Sequence, residues 1–153
     1  VTVLIIGYGN PLRGDDGLGP AIARAAAQML DGRPDARIVE CHQLTPELAE
    51  DLAGVARAIF ADASADAAPG EVVAVPVSPD AGSPGSFSHH MTPATLLSCA
   101  RVLYGRAPEA WLVSAGVASC ESGETLTPVA AAAVPVAARR VVELALAAPG
   151  HAP

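Results

Sequence analysis

The stretch "VTVLIIGYGNPLRGDDGLG", residues 1–19, passes from an unbroken apolar run into a glycine-rich loop, and "PAIARAAAQML", residues 20–30, follows it. Val, Leu and Ile without polar alternation read as a strand buried on both faces. Ile22, Ala25, Ala26 and Met29 fall on one face of a helix over residues 16–30. Strand, glycine loop and helix in that order open an α/β fold. Such a loop commonly holds a phosphate at the helix N-terminus, and this one is badly suited to it. The dinucleotide fingerprint needs a glycine where Leu12 stands, and Asp15 and Asp16 would repel a pyrophosphate. No Gly-Lys-Ser or Gly-Lys-Thr follows, so the Walker pattern fails as well.

Outward from this opening, strands and helices alternate. "ARIVEC" (36–41), "ARAIFAD" (56–62), "EVVAVPVS" (71–78) and "AWLVSAGV" (110–117) read as strands. Pro76 marks the third of these as an edge or irregular strand. Helices are expected over 45–54, 92–105 and 127–148, each opened by a Thr N-cap and a Pro at N1 (Thr45–Pro46, Thr92–Pro93, Thr127–Pro128), with Pro135 a kink point in the last. The alternation predicts a mainly parallel sheet covered on both faces. Only "ASADAAPG" (63–70) joins the strand ending at Asp62 to the one starting at Glu71, too short for a crossover helix. Those two strands are therefore expected to run antiparallel, which makes the sheet mixed.

The 153 residues suit one domain, expected over 1–149 with a frayed tail at 150–153. Apolar residues make up 51% and charged residues 16%, which argues against disorder; aromatics are only 3%, so the core is built from small aliphatics. A net charge of −7 disfavours nucleic acid and anionic lipid as partners. Cys41, Cys99 and Cys120 are scattered and odd in number, which fits a reducing cytoplasm. No secretory signal is expected at the N-terminus, and no apolar stretch reaches the ~18–20 residues of a membrane span.

Three loci carry candidate chemistry. One of Asp15 and Asp16, most naturally Asp15, caps the helix that follows; capping alone leaves the second acid unexplained. Asp62 stands at a strand end, where an Asx-turn is the plain alternative. His89 and His90 precede a capped helix. Two carboxylates and an imidazole suit a divalent first-row metal, and the absence of a thiolate from the set disfavours a closed zinc site. No G-x-S-x-G elbow is present, and Cys41 and Cys120 read as small hydrophobes before nucleophiles.

"GYGNPLRGDDGLG", "IFADA" (59–63), "SHHMTPATLL" (88–97) and "GETLTPVAAAAVP" (123–135) together resemble the [NiFe]-hydrogenase maturation endopeptidases over nearly the whole chain. The resemblance implies a three-layer α/β/α sandwich of the phosphorylase/hydrolase-like type, around a mixed, mostly parallel five-stranded sheet. It implies an endopeptidase that removes the C-terminal extension of a hydrogenase large-subunit precursor after nickel insertion. The family's metal-binding and catalytic set falls on Asp16, Asp62 and His89. His89 is reached by counting back eight positions from Leu97; a shift of one residue exchanges it with His90. Gly9 and Asn10 match the family's loop, and Gln43 and Glu47 match a polar segment without an assigned role. Nickel is expected to come with the substrate, with other divalent metals able to occupy the site, and the protein is expected to be a cytoplasmic monomer. The alternative functions are a non-catalytic nickel-binding assembly factor and, behind it, a nucleotide-binding domain.

Overall fold

The computed structural model describes residues 2–80 and 91–148. His89 and His90, residues 81–88, and the tail expected to fray at 150–153 lie outside the described residues.

Five strands, β1 (Val3–Tyr8), β2 (Ala36–Cys41), β3 (Arg57–Pro69), β4 (Val72–Val77) and β5 (Glu109–Gly116), form one sheet in the order β2-β1-β3-β5-β4. The first three pairings are parallel, and β4 pairs antiparallel with β5. Helices α1 (Leu18–Leu30) and α4 (Pro128–Leu146) cover one face; α2 (Leu48–Ala53) and α3 (Pro93–Tyr104) cover the other. This is the mixed three-layer α/β/α architecture.

The pleat explains the two layers. In β1, Val3 and Ile5 belong to the core shared with α1 and α4, while Leu4 and Ile6 belong to the core shared with α2 and α3. A strand buried on both faces must be apolar at every position, which is what the opening run supplies. Each fully buried Ile or Leu contributes about 1.5–3 kcal/mol. Alanines carry much of α1 and α4, and Gly19 lets α1 lie directly on the sheet: a Cβ there would run into the carbonyl oxygens of Tyr8 and Ala61.

Several local expectations need correction. β4 does run antiparallel to β3, but β5 lies between them, so the short link arches over the end of β5 instead of closing a hairpin. β3 does not stop at Asp62: it continues to Pro69, with its register to β5 shifting between Ser64 and Pro69. Helix α1 begins at Leu18, after a 3-10 turn over Gly14–Gly17. Helix α2 begins at Leu48 with Glu47 at its N-cap, because Thr45 and Pro46 are spent on a preceding turn. Thr92 and Thr127 cap as expected, each accepting from the backbone N–H three residues on. Helix α4 runs through Pro135 without interruption. Pro76 lies on the edge strand, with no neighbour beyond it in the sheet.

Arg57, the one charged residue in the apolar run of β3, is buried and ties off the end of α4. Its guanidinium donates to the carbonyls of Leu144 and Ala147, both at 2.7 Å, and pairs with Glu109 at 3.1 Å. No helix among the described residues is long and apolar enough to cross a membrane.

Candidate functional site

β1 and β3 run in parallel with Gly7 opposite Ala61, so Tyr8 and Asp62 come next on adjacent strands. Tyr8 shares the face of Leu4 and Ile6, and Asp62 that of Ala58 and Phe60, so both point to the α2–α3 side at the carboxyl rim of the parallel strands. Ligand sites of open α/β sheets form along this rim. The Asp62 Oδ1 accepts from the Ala63 N–H at 2.7 Å, and the Tyr8 phenol stands beside the same carboxylate on the neighbouring strand. Burial keeps the Tyr8 phenol protonated far above its ordinary range, and the Asp62 charge adds to this.

Asp16 reaches the same rim from the glycine loop. Gly9, at φ 144°, turns the chain sharply after β1, and a Cβ there would collide with the Asp16 carbonyl oxygen. The turn lets Asn10 N–H donate to Asp16 Oδ2 at 2.9 Å, while Asn10 Oδ1 accepts from Leu12 N–H at 3.0 Å. The glycines therefore allow close packing and chain reversal. Burial pushes the Asp62 carboxyl up to about 6, and the Asp16 charge adds to the rise; Tyr8 and the Ala63 N–H hold it back. The two carboxylates thus lie within electrostatic reach of each other. Among the described residues neither makes an ion pair.

Asp15 does something other than the capping expected of it. It is fully buried, and no side chain caps either the 3-10 turn or α1. Its Oδ2 accepts from the N–H groups of Ala118 (2.8 Å) and Ser119 (3.1 Å) and from Thr127 Oγ1 (2.7 Å); its Oδ1 accepts from Thr127 N–H (2.7 Å). Backbone bonds between Gly14 and Gly123, and between Asp15 and Ser119, complete the seam. Asp15 therefore clamps the glycine loop to the segment entering α4, and in doing so fixes the base from which Asp16 projects. Burial works to raise its pKa, but the bonds from Thr127, Ala118 and Ser119 prevail and lower it.

The third residue of the expected set, His89, lies outside the described residues, as does His90. Among the described residues no group of three or more His, Cys, Asp or Glu side chains is placed to hold a metal ion. Two carboxylates within electrostatic reach of each other are nonetheless oxygen donors of the kind that suits a hard or borderline divalent ion. Cys41 and Cys99 have thiols raised by burial, which leaves them protonated and poor nucleophiles. Gln43 is exposed and away from the pair's hydrogen bonds. Tyr8 was not singled out from the sequence; its signal was its place at the end of β1, level with Asp62 once the two strands are aligned by their apolar runs.

Fold and site define a class: a three-layer α/β/α domain with an acidic pair at the carboxyl rim of its central strands. The hydrogenase maturating endopeptidase HybD from E. coli has this fold, with TM-score 0.73 and 28% identity over 92% of this chain and 90% of that one. The solution structure of an endopeptidase from Escherichia coli superposes with TM-score 0.70 and 27% identity over 92% and 90% of the two chains. The [NiFe] hydrogenase maturation protease HycI from Thermococcus kodakarensis shares the fold at TM-score 0.74 and 21% identity, over 93% and 90%. No protein-family model matches the sequence, and no curated protein matches it. In fold over most of its length, and at 28% identity to one of them, the chain is similar to the hydrogenase maturation endopeptidases.

Proposed function

We propose that the protein cleaves the C-terminal extension from a [NiFe]-hydrogenase large-subunit precursor once nickel is in place, and that Asp16, Asp62 and His89 meet that nickel. The observation that supports this reading is the electrostatic coupling of Asp16 and Asp62 at the carboxyl rim, neither of them ion-paired among the described residues. Nickel belongs to the substrate; the protease contributes oxygen ligands and an imidazole, so docking is favourable only when the metal is present. Another divalent ion can stand in at the same ligands. The reaction is hydrolysis: water adds to the scissile carbonyl carbon, the C–N bond breaks, and the departing amine takes a proton. A metal beside that carbonyl polarises it. The site works in the cytoplasm, as a monomer meeting one precursor.

Incubating the purified protein with nickel-loaded precursor tests the proposal. Shortening of the large subunit supports the protease; stable binding without shortening supports a nickel-binding assembly factor instead.

A further inference from the structure

We propose that the outer edge of β4, with the groove beside it, is a docking site for an extended acidic segment of the precursor, which adds to the sheet as a further strand. The inference rests on the reading of the protein as a processing protease and deepens it by saying where the substrate chain lies.

The edge is open by register. The Glu71 carbonyl accepts from the Gly116 N–H at 2.9 Å, so it faces β5. Backbone groups alternate along a strand. Those of Val73, Val75 and Val77 therefore face β5 as well, and those of Val72, Ala74 and Pro76 face away from the sheet. Pro76 fits this outward row because it has no N–H to give. Among the described residues β4 is the outermost strand, and no backbone group of a turn or loop bonds to Val72, Ala74 or Pro76. A row of unpaired amides is a template for another strand. Every residue of β4 is apolar and none is buried, so the edge lacks the charges that usually blunt one. Pro76 guards only the end remote from the carboxyl rim, and the open donors of Val72 and Ala74 lie toward that rim.

The groove supplies the chemistry of the partner. Val72 and Ala74 pack toward the α4 layer. With Val136, Arg139, Arg140 and Glu143 of α4 they line a groove of about 300 Å³. Arg139 is exposed and makes no ion pair among the described residues. Arg140 reaches exposed Glu143 at 3.2 Å, a surface pair of little energy that another carboxylate can replace. In a chain with 9 basic and 16 acidic residues, two adjacent arginines beside an apolar groove suit a carboxylate. An added strand sends alternate side chains to one face. An apolar residue over Val72 and Val136 and an Asp or Glu two positions away, over Arg139, then lie on the same side.

The edge is also within reach of the carboxylate pair. Asp62 stands opposite Ser114 on β5, and Ser114 opposite Val73 on β4. A strand added beyond β4 lies three strand spacings from Asp62 in that row, about 14 Å. About four or five extended residues cross this distance. One polypeptide can therefore sit on the edge and present its scissile bond at the rim.

The test compares Ala74→Pro, which removes an outward donor, and Arg139→Glu, which reverses the charge beside the groove, with wild type. Cleavage of nickel-loaded precursor gives kcat and KM. The expected result in each variant is a KM raised about tenfold with kcat within about twofold, as for lost binding away from the chemistry, at an unchanged thermal midpoint. The wild-type KM should rise with salt more steeply than that of Arg139→Glu. If Ala74→Pro loses stability, Arg139→Glu decides alone. Hydrogen exchange gives a readout independent of turnover: precursor should slow the Val72 and Ala74 amides of wild type. Normal cleavage by wild type with an unchanged KM in Arg139→Glu, or with no slowing at the two amides, overturns the docking site and leaves the protease standing. Slowed amides without any cleavage keep the docking site and overturn the protease. Neither cleavage nor slowing overturns both. Slowing that follows the concentration of the protein alone would put a second copy on the edge and overturn the proposal.

Discussion

Asp15 and Thr127, 112 residues apart, are joined twice: the Thr127 N–H donates to Asp15 Oδ1 and the Thr127 hydroxyl to Oδ2, both at 2.7 Å. The same hydroxyl oxygen caps α4 by accepting from Ala130 N–H at 3.4 Å. One threonine thereby couples the glycine loop that carries Asp16 to the start of the longest helix.

Replacing Asp15 with Ala should cost far more than the ~0.5–2 kcal/mol lost with a helix cap. Three backbone N–H groups and one hydroxyl lose a buried charged acceptor, and a loss of about 3–5 kcal/mol is expected in denaturant unfolding. A loss under about 1 kcal/mol would mean that the seam holds without it. The Asp15 pKa is lowered in the fold, so its stabilisation is present above the unfolded pKa and is lost as pH falls through the folded one. Unfolding below about pH 4 should therefore be less steep in Asp15→Asn, at a lower overall stability.

Asp62 has the opposite sign. Its folded pKa of about 6 lies above the ordinary 3.8. Its contribution is fully present below the unfolded pKa and is lost as pH rises through about 6. Metal-free Asp62→Asn should be more stable than wild type at pH 7 by about 1–3 kcal/mol, with no gain at pH 4. An equal effect at both pH values would show that ionisation of Asp62 is not what destabilises the fold.

Arg57 joins β3 to the end of α4 through three carbonyls and Glu109. Arg57→Ala leaves those carbonyls and part of a buried pair without a partner, and a loss of about 3–5 kcal/mol is expected. Hydrogen exchange should rise first in the last two turns of α4; uniform loss of protection across the helix would point to global unfolding instead.

Gly19→Ala tests how closely α1 lies on the sheet. The added methyl meets the carbonyls of Tyr8 and Ala61, which are backbone and cannot turn away. The variant should lose about 1–3 kcal/mol. It should also lose activity, because the helix that moves is the one that follows Asp16. Wild-type stability and turnover would show that α1 has room the structure does not give it.

Much of this was legible in the residues. The β1 run, the Thr-Pro openings of α3 and α4, and Pro76 on the edge strand each follow from local chemistry that acts within a few residues. The insertion of β5 between β3 and β4 did not, because strand order is decided by which surfaces cover each other across the whole chain. Asp15 looked like a cap because capping is the local use of an aspartate, while its real partners lie more than 100 residues away. Asp16 and Asp62 could be singled out by residue type and position. Tyr8 could not, since a tyrosine ending an apolar strand carries no sign of what stands on the next one.

The central claim is that the substrate's nickel is what the carboxylate pair meets. It is tested most directly by incubating metal-stripped protein with nickel-loaded and nickel-free large-subunit precursor and measuring the intact mass of the large subunit. The account predicts loss of the C-terminal extension from the nickel-loaded form alone, and no loss from either form with Asp16→Ala. Cleavage of nickel-free precursor at a comparable rate would contradict it.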